Sequence, residues 1–278
     1  MGASIKPPQN KNYCATVIQI KTLLPLANCD NLIAIPIFGL QAIVSKDTSV
    51  GDIGIVFPSE CQLSDEFTKT NNLFRHENLN ANINQKGYLE DNRRTRAIKL
   101  RGHRSDALFL SLSSLAFTGF DISTLHVGDE FDTLNGIEIC HKYELVVKRP
   151  QGQPAAKIKS RDVLLPEHFE TSQWLKYSHD IDDDIYVVVT TKLHGTSIRI
   201  GNTIVSRKLS FLEKVAKKFG LKILEKDFDM VYGSRKVIKD INARPGYYNS
   251  DIWTTEGKKL DGLIPKNYIV FGEVVGWA

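Results

Sequence analysis

Apolar and polar positions alternate over short runs in the first half of the chain, which is typical of half-buried β-strands. Six strands are predicted in this way, at 13–20, 32–38, 41–45, 53–57, 96–101 and 107–111. Turn residues separate them, and Gly102 joins the last two. Short strands with Gly and Asp turns fit a small barrel or a sandwich, and we expect a five-stranded OB-like barrel. The periodicity alone does not distinguish these two architectures.

The second half mixes longer apolar runs with amphipathic stretches. The β-branched run at 185–191 is typical of a buried strand. The other predicted elements are a short helix at 166–177, a hairpin of 196–200 and 202–206 turning at Gly201-Asn202, a helix at 209–224 and a closing strand at 266–275. Strands dominate and helices are inserted between them, so the predicted fold class is α+β.

Two segments interrupt the pattern and suggest the domain organisation. Residues 71–92 are rich in Asn and charge and are predicted to form a long loop. Residues 148–160 contain two prolines, a glycine and several lysines, which is typical of a linker. We therefore expect a first domain at 1–147 and a second at 161–278.

Composition excludes several classes of protein. Charged residues make up 24% and hydrophobic residues 42%, as in ordinary soluble domains. The four cysteines include no C-x-x-C pair, which argues against a zinc site or a disulfide framework, and no metal ligands are assigned. No run approaches the ~20 apolar residues of a membrane span. We expect a soluble cytoplasmic protein without a membrane partner, and favour a monomer.

Positive charge is concentrated in particular regions, although the formal net charge is only +4. Residues 141–278 hold 23 basic and 17 acidic side chains, whereas 1–140 hold 13 and 15. Within the first half, 86–104 contain seven basic residues and two acidic ones. On charge alone, a solvated face is the simpler interpretation of this basic segment, and a polyanionic partner is the alternative.

One constellation carries candidate chemistry, while P-loop, dinucleotide-binding and zinc-protease motifs are absent from the sequence. Lys192 follows the predicted buried strand, and Gly195 comes three residues later. Desolvation at a strand end would lower the pKa of a lysine and leave a neutral amine able to attack an electrophile. The glycine would allow the backbone to approach a ligand closely. Taken alone, a surface lysine at a strand end is the simpler interpretation.

The wider pattern resembles the covalent nucleotidyltransferases, in particular their RNA ligase branch. Lys192-Leu-His-Gly-Thr is similar to motif I of that superfamily, and Phe271-Gly-Glu273 is similar to motif III. Arg207 and Arg235 both follow a serine and are candidates for motif Ia, of which we prefer Arg235. The segment 96–110 resembles the OB module of Deinococcus/Naegleria-type RNA ligases. The resemblance covers residues 13–278.

This resemblance implies an OB-like module followed by a partial, ATP-grasp-like nucleotidyltransferase domain. It implies an ATP-dependent RNA ligase that joins 3′-OH and 5′-phosphate ends of RNA, or of an RNA-containing nicked duplex, through a lysyl-AMP at Lys192. Mg²⁺ or Mn²⁺ would accompany ATP and offset phosphate charge. The residues implied in nucleotide binding are Thr191, Leu193, His194, Gly195, Arg207, Arg235 and Glu273. The residues expected to follow nucleic-acid phosphates are Arg93, Arg94, Arg96, Lys99 and Arg101.

The sequence departs from this family after motif III. Only Val274-Val-Gly-Trp-Ala278 follows Glu273, whereas such enzymes continue with a stacking aromatic residue, a metal-binding carboxylate and a lysine-bearing strand. The second domain is thus expected to be incomplete, and the isolated chain to adenylylate Lys192 poorly or not at all. Two alternatives stay open: a DNA ligase or capping enzyme, and a non-catalytic nucleic-acid-binding protein with a degenerate ligase domain.

Overall fold

The computed structural model describes residues 5–145, 163–207, 209–239 and 251–276, so the predicted linker at 148–160 lies outside the described residues. The chain divides into two compact units. The first unit is Met1–Lys148 with Ser172–Asp183, and the second is Arg149–Thr171 with Asp184–Ala278. The sequence pattern does not predict that Ser172–Asp183 belongs to the first unit. The domain boundaries at 147 and 161 remain predictions.

The first unit is built mainly from short strands. Its strands are β1 (Ile5–Lys6), β2 (Ala15–Gln19), β3 (Leu24–Pro25), β4 (Leu32–Ile37), β5 (Leu40–Ser45), β6 (Ile53–Pro58), β7 (Cys61–Leu63), β8 (Ile98–Leu100), β9 (His103–Ser105), β10 (Ala107–Ser111), β11 (Glu130–Phe131), β12 (Thr133–Leu134), β13 (Ile137–Glu138) and β14 (Cys140–Lys142). Its helices are α1 (Asp65–Thr70) and α2 (Trp174–Tyr177), with short 3₁₀ turns at Glu77–Leu79, Leu112–Thr118, Ile122–Thr124 and Ser178–Asp180.

A seven-stranded sheet in the order β11-β2-β6-β10-β5-β4-β3 organises the first unit. Neighbours are antiparallel except for the parallel pair β10 and β5. Successive residues of a strand point to opposite faces, so Val17 and Ile18 enter two different apolar clusters. Within the described residues the edge strands β11 and β3 do not pair with each other, and the expected closed OB barrel is not confirmed.

Alternation located most strands of the first unit correctly. The strands predicted at 13–20, 32–38, 41–45, 53–57 and 107–111 are confirmed as β2, β4, β5, β6 and β10. The predicted pairing of 96–101 with 107–111 is wrong, because β8 pairs with β9 instead. Arg101 and Gly102 both have positive φ, of 50° and 87°, and close a two-residue turn between Leu100 and His103.

The second unit contains β15 (Thr196–Ser206), β16 (Lys226–Ser234) and β17 (Tyr268–Val274), with helices α3 (Phe211–Lys218) and α4 (Ile252–Lys258). β15 is the central strand of an antiparallel sheet, in the order β16-β15-β17. One face packs on α4 through Ile198, Ile200 and Trp253, and the other is covered by Leu165. The mixed, strand-rich architecture confirms the predicted α+β class.

Local patterns misled the sequence interpretation at several elements of this unit. β15 is one continuous strand of 11 residues rather than a hairpin turning at Gly201. A Leu165 methyl lies 2.9 Å from where a Cβ on Gly201 would stand, so this glycine provides room for packing rather than a turn. The predicted helices are also shorter: 209–224 reduces to α3, and 166–177 reduces to α2. Among the described residues, no helix combines the length and apolar character needed to cross a bilayer.

Candidate functional site

The pairing of β15 with β17 brings motif I and motif III together. Ser197 lies opposite Glu273 in the register. The Glu273 carboxylate accepts a hydrogen bond from the Gly195 backbone N–H at 3.2 Å and another from the Ser197 hydroxyl at 3.2 Å. Residues 78 positions apart in sequence thus share one hydrogen-bonded cluster. The sequence singled out Gly195 and Glu273 but not Ser197.

Gly195 is required by close backbone contact. A Cβ at this position would lie 2.1 Å from the Val274 carbonyl oxygen, well inside van der Waals contact. Any side chain would therefore push the start of β15 away from the end of β17. That displacement would also break the Gly195–Glu273 hydrogen bond, so the glycine fixes the geometry of the cluster.

The segment leading to the candidate nucleophile differs from the sequence prediction. Residues 185–191 do not form a strand, and Tyr186 and Val189 are 90% and 92% exposed. No other strand of the described residues pairs with this run, so its backbone gains no sheet hydrogen bonds. Lys192 is exposed as well. The prediction of a buried strand is wrong, and the desolvation invoked to activate Lys192 is absent from this structure.

The residues around Lys192 share this exposed setting. Thr191, Leu193 and His194 all lie outside helices and strands, with exposed side chains. Gly195 is the point at which the chain enters the sheet, immediately before β15. The structure thus anchors the C-terminal end of motif I to Glu273.

Arg199 is a fully buried cation beneath this site and was not singled out by the sequence. Its side chain is 1% exposed and shares a sheet face with Ser197, two residues earlier. The guanidinium donates to the carbonyl oxygens of Ser234 at 2.7 Å, Leu165 at 3.1 Å and Pro166 at 2.5 Å. Burial lowers its pKa, with an opposing contribution from Glu167. One nitrogen, Nη2, is buried and has no hydrogen-bond partner among the residues that the structure describes.

Three aromatic rings cluster at Phe271, which lies on the same strand as Glu273. The Phe271 ring lies 5.5 Å from the His168 ring and 5.7 Å from the Phe169 ring, both in edge-to-face contact. Phe169 is 65% exposed. Because Phe271 and Glu273 are two positions apart on β17, their side chains share one face of the sheet. The cluster therefore offers an accessible aromatic surface on the face that carries the carboxylate.

The two candidate motif Ia arginines lie in different places. The Arg235 carbonyl accepts from the His168 N–H at 3.2 Å, and its side chain donates to Glu170 at 2.8 Å, beside the aromatic cluster. Arg207 follows the opposite end of β15 and donates to the Leu224 carbonyl and to Glu213. That ion pair lowers the pKa of Glu213 to about 2. Only Arg235 is near the residues that surround Glu273.

The basic segment of the first unit separates into two sets. Arg93 donates to the Leu63 carbonyl at 3.0 Å and pairs with Asp65 at 3.3 Å. Arg94 pairs with Glu60 and lies 4.5 Å from the Tyr143 ring. Arg96, Lys99 and Arg101 are exposed and have no ion-pair partner among the described residues.

The next feature is the arrangement of the side chains that could ligate a metal ion. Across the described ranges, no group of three or more His, Cys, Asp or Glu side chains is arranged to hold a metal ion. The Glu273 carboxylate is already engaged by an N–H and an O–H donor. The described residues therefore do not fit a resident metal centre.

Comparison with known proteins found similarity at the level of structure. No family model and no curated protein matches the chain. The Naegleria gruberi RNA ligase with PPi matches with a TM-score of 0.55 and 17% identity, covering 96% of this chain and 67% of that chain. The chain has the fold of that ligase. A variant of that ligase with AMP and Mn matches with a TM-score of 0.54 and 16% identity, covering 96% of this chain and 68% of that chain. A variant with ATP and Mn matches with a TM-score of 0.55 and 17% identity, covering 94% of this chain and 67% of that chain. The present chain spans about two thirds of the length of these ligases.

Proposed function

We propose that the protein is an ATP-dependent RNA ligase that forms a lysyl-AMP on Lys192. The observation that carries this proposal is the hydrogen bond between the Gly195 N–H and the Glu273 carboxylate, which joins the two motifs in one site. The shared fold with an RNA ligase supports it. In this proposal the first unit is an OB-like RNA-binding module, and the enzyme acts in RNA repair in the cytoplasm, as a monomer.

The proposed reaction has three steps: adenylylation of Lys192, transfer of AMP to the RNA 5′-phosphate, and sealing of the strand. The Lys192 amine attacks the α-phosphorus of ATP, forming an N–P bond as the bond to the bridging oxygen breaks and pyrophosphate leaves. The amine loses its proton to solvent. The 5′-phosphate of RNA then displaces the lysine and takes the AMP. Finally an RNA 3′-OH attacks that phosphate, loses its proton and releases AMP as the strand is sealed.

Neighbouring side chains would hold the nucleotide. The Glu273 carboxylate would accept hydrogen bonds from ribose hydroxyls through the lone pairs that Gly195 and Ser197 leave free. Phe169 and Phe271 would provide an aromatic surface for the purine. Arg235 would leave Glu170 to contact a phosphate or the ribose. The backbone at Thr191 and Leu193, together with His194, would complete the nucleotide pocket.

The divalent metal would enter with ATP. Mg²⁺ or Mn²⁺ bound to the triphosphate would offset its charge. Because the described residues supply no metal-ligand cluster, no step is assigned to a protein-bound ion.

The test is labelling of the chain with radioactive ATP or GTP in the presence of Mn²⁺, compared with Lys192→Ala. Because the sequence predicts poor adenylylation of the isolated chain, we expect a weak label from ATP that is lost in the variant and released by RNA carrying a 5′-phosphate. Label from GTP alone would instead indicate a capping enzyme, and transfer only to DNA ends a DNA ligase. A label that persists in Lys192→Ala would contradict the proposal.

A non-catalytic nucleic-acid-binding protein is the second candidate. The exposure of Lys192 and of residues 185–191 favours it, because a lysine nucleophile is usually activated by burial or by neighbouring cations. This candidate predicts RNA binding with no covalent AMP at any Mn²⁺ or ATP concentration. It also predicts that Lys192→Ala binds RNA as tightly as the unmodified chain.

A further inference from the structure

The hairpin of β8 and β9 presents a basic face outside the seven-stranded sheet. Lys99 and Arg104 are directly opposite each other in the register, and both are exposed. The alternate residues Ile98, Leu100 and Ser105 face the protein and are partly or fully buried. Lys99 and Arg104 thus share the outer face, and Arg101 stands at the tip.

This arrangement has a local energetic cost. Like charges directly opposite one another destabilise a pair of antiparallel strands. Arg101 adopts the left-handed region at φ 50°, which favours glycine or asparagine rather than a long side chain. Departures from local stability rules are expected where a residue serves a ligand. Asp106 pairs with Arg104 at 2.8 Å and offsets part of this repulsion, and an anion bound to the outer face would relieve the rest.

The base of the hairpin is held firmly. The Gln41 side chain donates to the Arg104 carbonyl at 2.6 Å, and the Ile43 N–H donates to the Ser105 hydroxyl at 3.2 Å. The Arg104 guanidinium pairs at 2.8 Å with Asp106, which is largely buried. A fixed base orients the charges before a ligand arrives, so less ordering entropy is lost on binding.

The chemistry of the hairpin fits phosphates rather than bases. Its only ring is that of His103, which is engaged with the Ala27 carbonyl at 2.9 Å. No aromatic side chain of the hairpin can stack on a base, while three cationic side chains can each contact a phosphate. Arg93 and Arg94 are committed to Asp65 and Glu60, and their side chains are only 26% and 25% exposed. The Arg104 side chain stays 71% exposed beside Asp106. Arg96 is exposed but lies before the hairpin.

We propose that the β8–β9 hairpin contacts the phosphate backbone of RNA through Lys99, Arg101 and Arg104, without regard to base sequence. The inference rests on the proposed function in one respect, because that function makes RNA the polyanion. It assigns phosphate contact to the hairpin and a structural role to Arg93 and Arg94, which the sequence grouped together.

The test measures binding of fluorescent single-stranded RNA by anisotropy over a series of salt concentrations. Each phosphate contact contributes ~0.7 to the slope of log K against log salt for a single strand. The double variant Lys99→Ala/Arg101→Ala is expected to lower that slope by ~1.4. The control Lys46→Ala/Lys69→Ala removes the same charge from exposed lysines of the same unit and should change the slope little.

A second variant, Arg101→Gly, distinguishes a role of Arg101 in RNA binding from a role in stabilising the turn. Arg101→Gly suits the left-handed turn, so it should raise the Tm while weakening RNA binding. A merely structural Arg101 would not give these opposite effects. An equal loss of slope in the lysine control, or an unchanged slope in the hairpin double variant, would overturn the proposal. Polyglutamate is a polyanion without phosphates, so the hairpin double variant should lose more affinity for RNA than for polyglutamate. An equal loss of affinity for the two, or RNA binding that depends strongly on base sequence, would also overturn the proposal.

Adenylylation distinguishes failure of this inference from failure of the proposed function. If the chain forms no lysyl-AMP but binds RNA with a hairpin-dependent slope, the ligase proposal fails and the hairpin inference stands. If it forms lysyl-AMP and the hairpin variants keep the full slope, the hairpin inference fails alone.

Discussion

Replacing Arg199 tests whether a buried cation stabilises the second unit through its hydrogen bonds. The Arg199→Met variant keeps the apolar stem but removes every donor. Three carbonyl oxygens, of Ser234, Leu165 and Pro166, lose a charged partner. These carbonyls belong to the end of β16 and to the segment that covers one sheet face, so the loss loosens two elements beside the aromatic cluster.

The magnitude follows from two opposing contributions. A hydrogen bond from a charged donor is worth ~1.5–3 kcal/mol, and a carbonyl left buried without a partner costs ~1–3 kcal/mol. Against this, Arg199 forms no ion pair within the described part of the chain, and Glu167 acts on it only at longer range. Removing such a buried cation recovers desolvation energy, and even for paired ions an apolar replacement can be neutral or stabilising. Since three of the contacts are short and well defined, we expect the hydrogen bonds to dominate. The free energy of unfolding should fall by ~2–4 kcal/mol.

Urea unfolding of the whole chain measures this change. Trp253 is buried in the second unit, and its ring N–H donates to the Ser197 carbonyl at 3.0 Å, so its fluorescence reports on this sheet. Trp174→Phe and Trp277→Phe in all samples remove the other tryptophans. Arg199→Lys, which keeps the charge but not the planar fork, should also be destabilised. A methionine variant as stable as the unmodified chain, with a less stable lysine variant, would refute the reasoning and show that burial of charge dominates.

Three further outcomes follow from the structure. Gly195→Ala should reduce AMP labelling ~100-fold without unfolding the chain, because its Cβ meets the Val274 carbonyl; labelling at the normal rate with normal circular dichroism would contradict the close contact. Phe169→Ala should raise the Kd for ATP about tenfold in calorimetry, the loss expected for one stacking contact; an unchanged Kd argues against a purine on this ring. Burial raises the pKa of the Cys14 thiol to about 11, so iodoacetamide at pH 8 should label Cys29 well before Cys14. Equal labelling rates of Cys14 and Cys29 in mass spectrometry would contradict the raised pKa of Cys14. The same shift makes a contribution to fold stability that is present below pH 9.0 and is lost as the pH rises to about 11.

Sequence periodicity is sufficient to locate a strand where the strand's partners lie in a continuous sheet. β2, β6 and β10 were predicted because their alternation matches burial on two faces. The hairpin expected at Gly201-Asn202 failed because turn propensity is local, whereas this glycine is required by a leucine packed across the strand. The strand expected at 185–191 failed for a different reason: a β-prone run forms a strand only where another strand supplies its hydrogen bonds.

The same distinction applies to the candidate site. The glycine and the glutamate were found from short motifs, because each has a chemical role that few residue types fill. Arg199, His168 and Phe169 were missed because their relation to Glu273 depends on long-range pairing and not on spacing. The alternation of Ser197 and Arg199 was a usable signal, but the expected turn at Gly201 divided the strand that would have shown it.

The register of β15 and β17 links core packing to the proposed chemistry. Ile198 and Ile200 point into the apolar cluster with Trp253, which leaves Ser197 and Arg199 on the opposite face. A slip of β17 by one residue would turn Glu273 toward that apolar cluster and withdraw Val274, which packs against it. Apolar packing of Val274 therefore selects the register that places the carboxylate against Gly195. The geometry around Glu273 is thus maintained by apolar residues on the opposite face of the sheet. Enlarging or truncating Ile198 should therefore alter AMP labelling through displacement of Glu273, even though the substitution changes the identity of none of the predicted site residues.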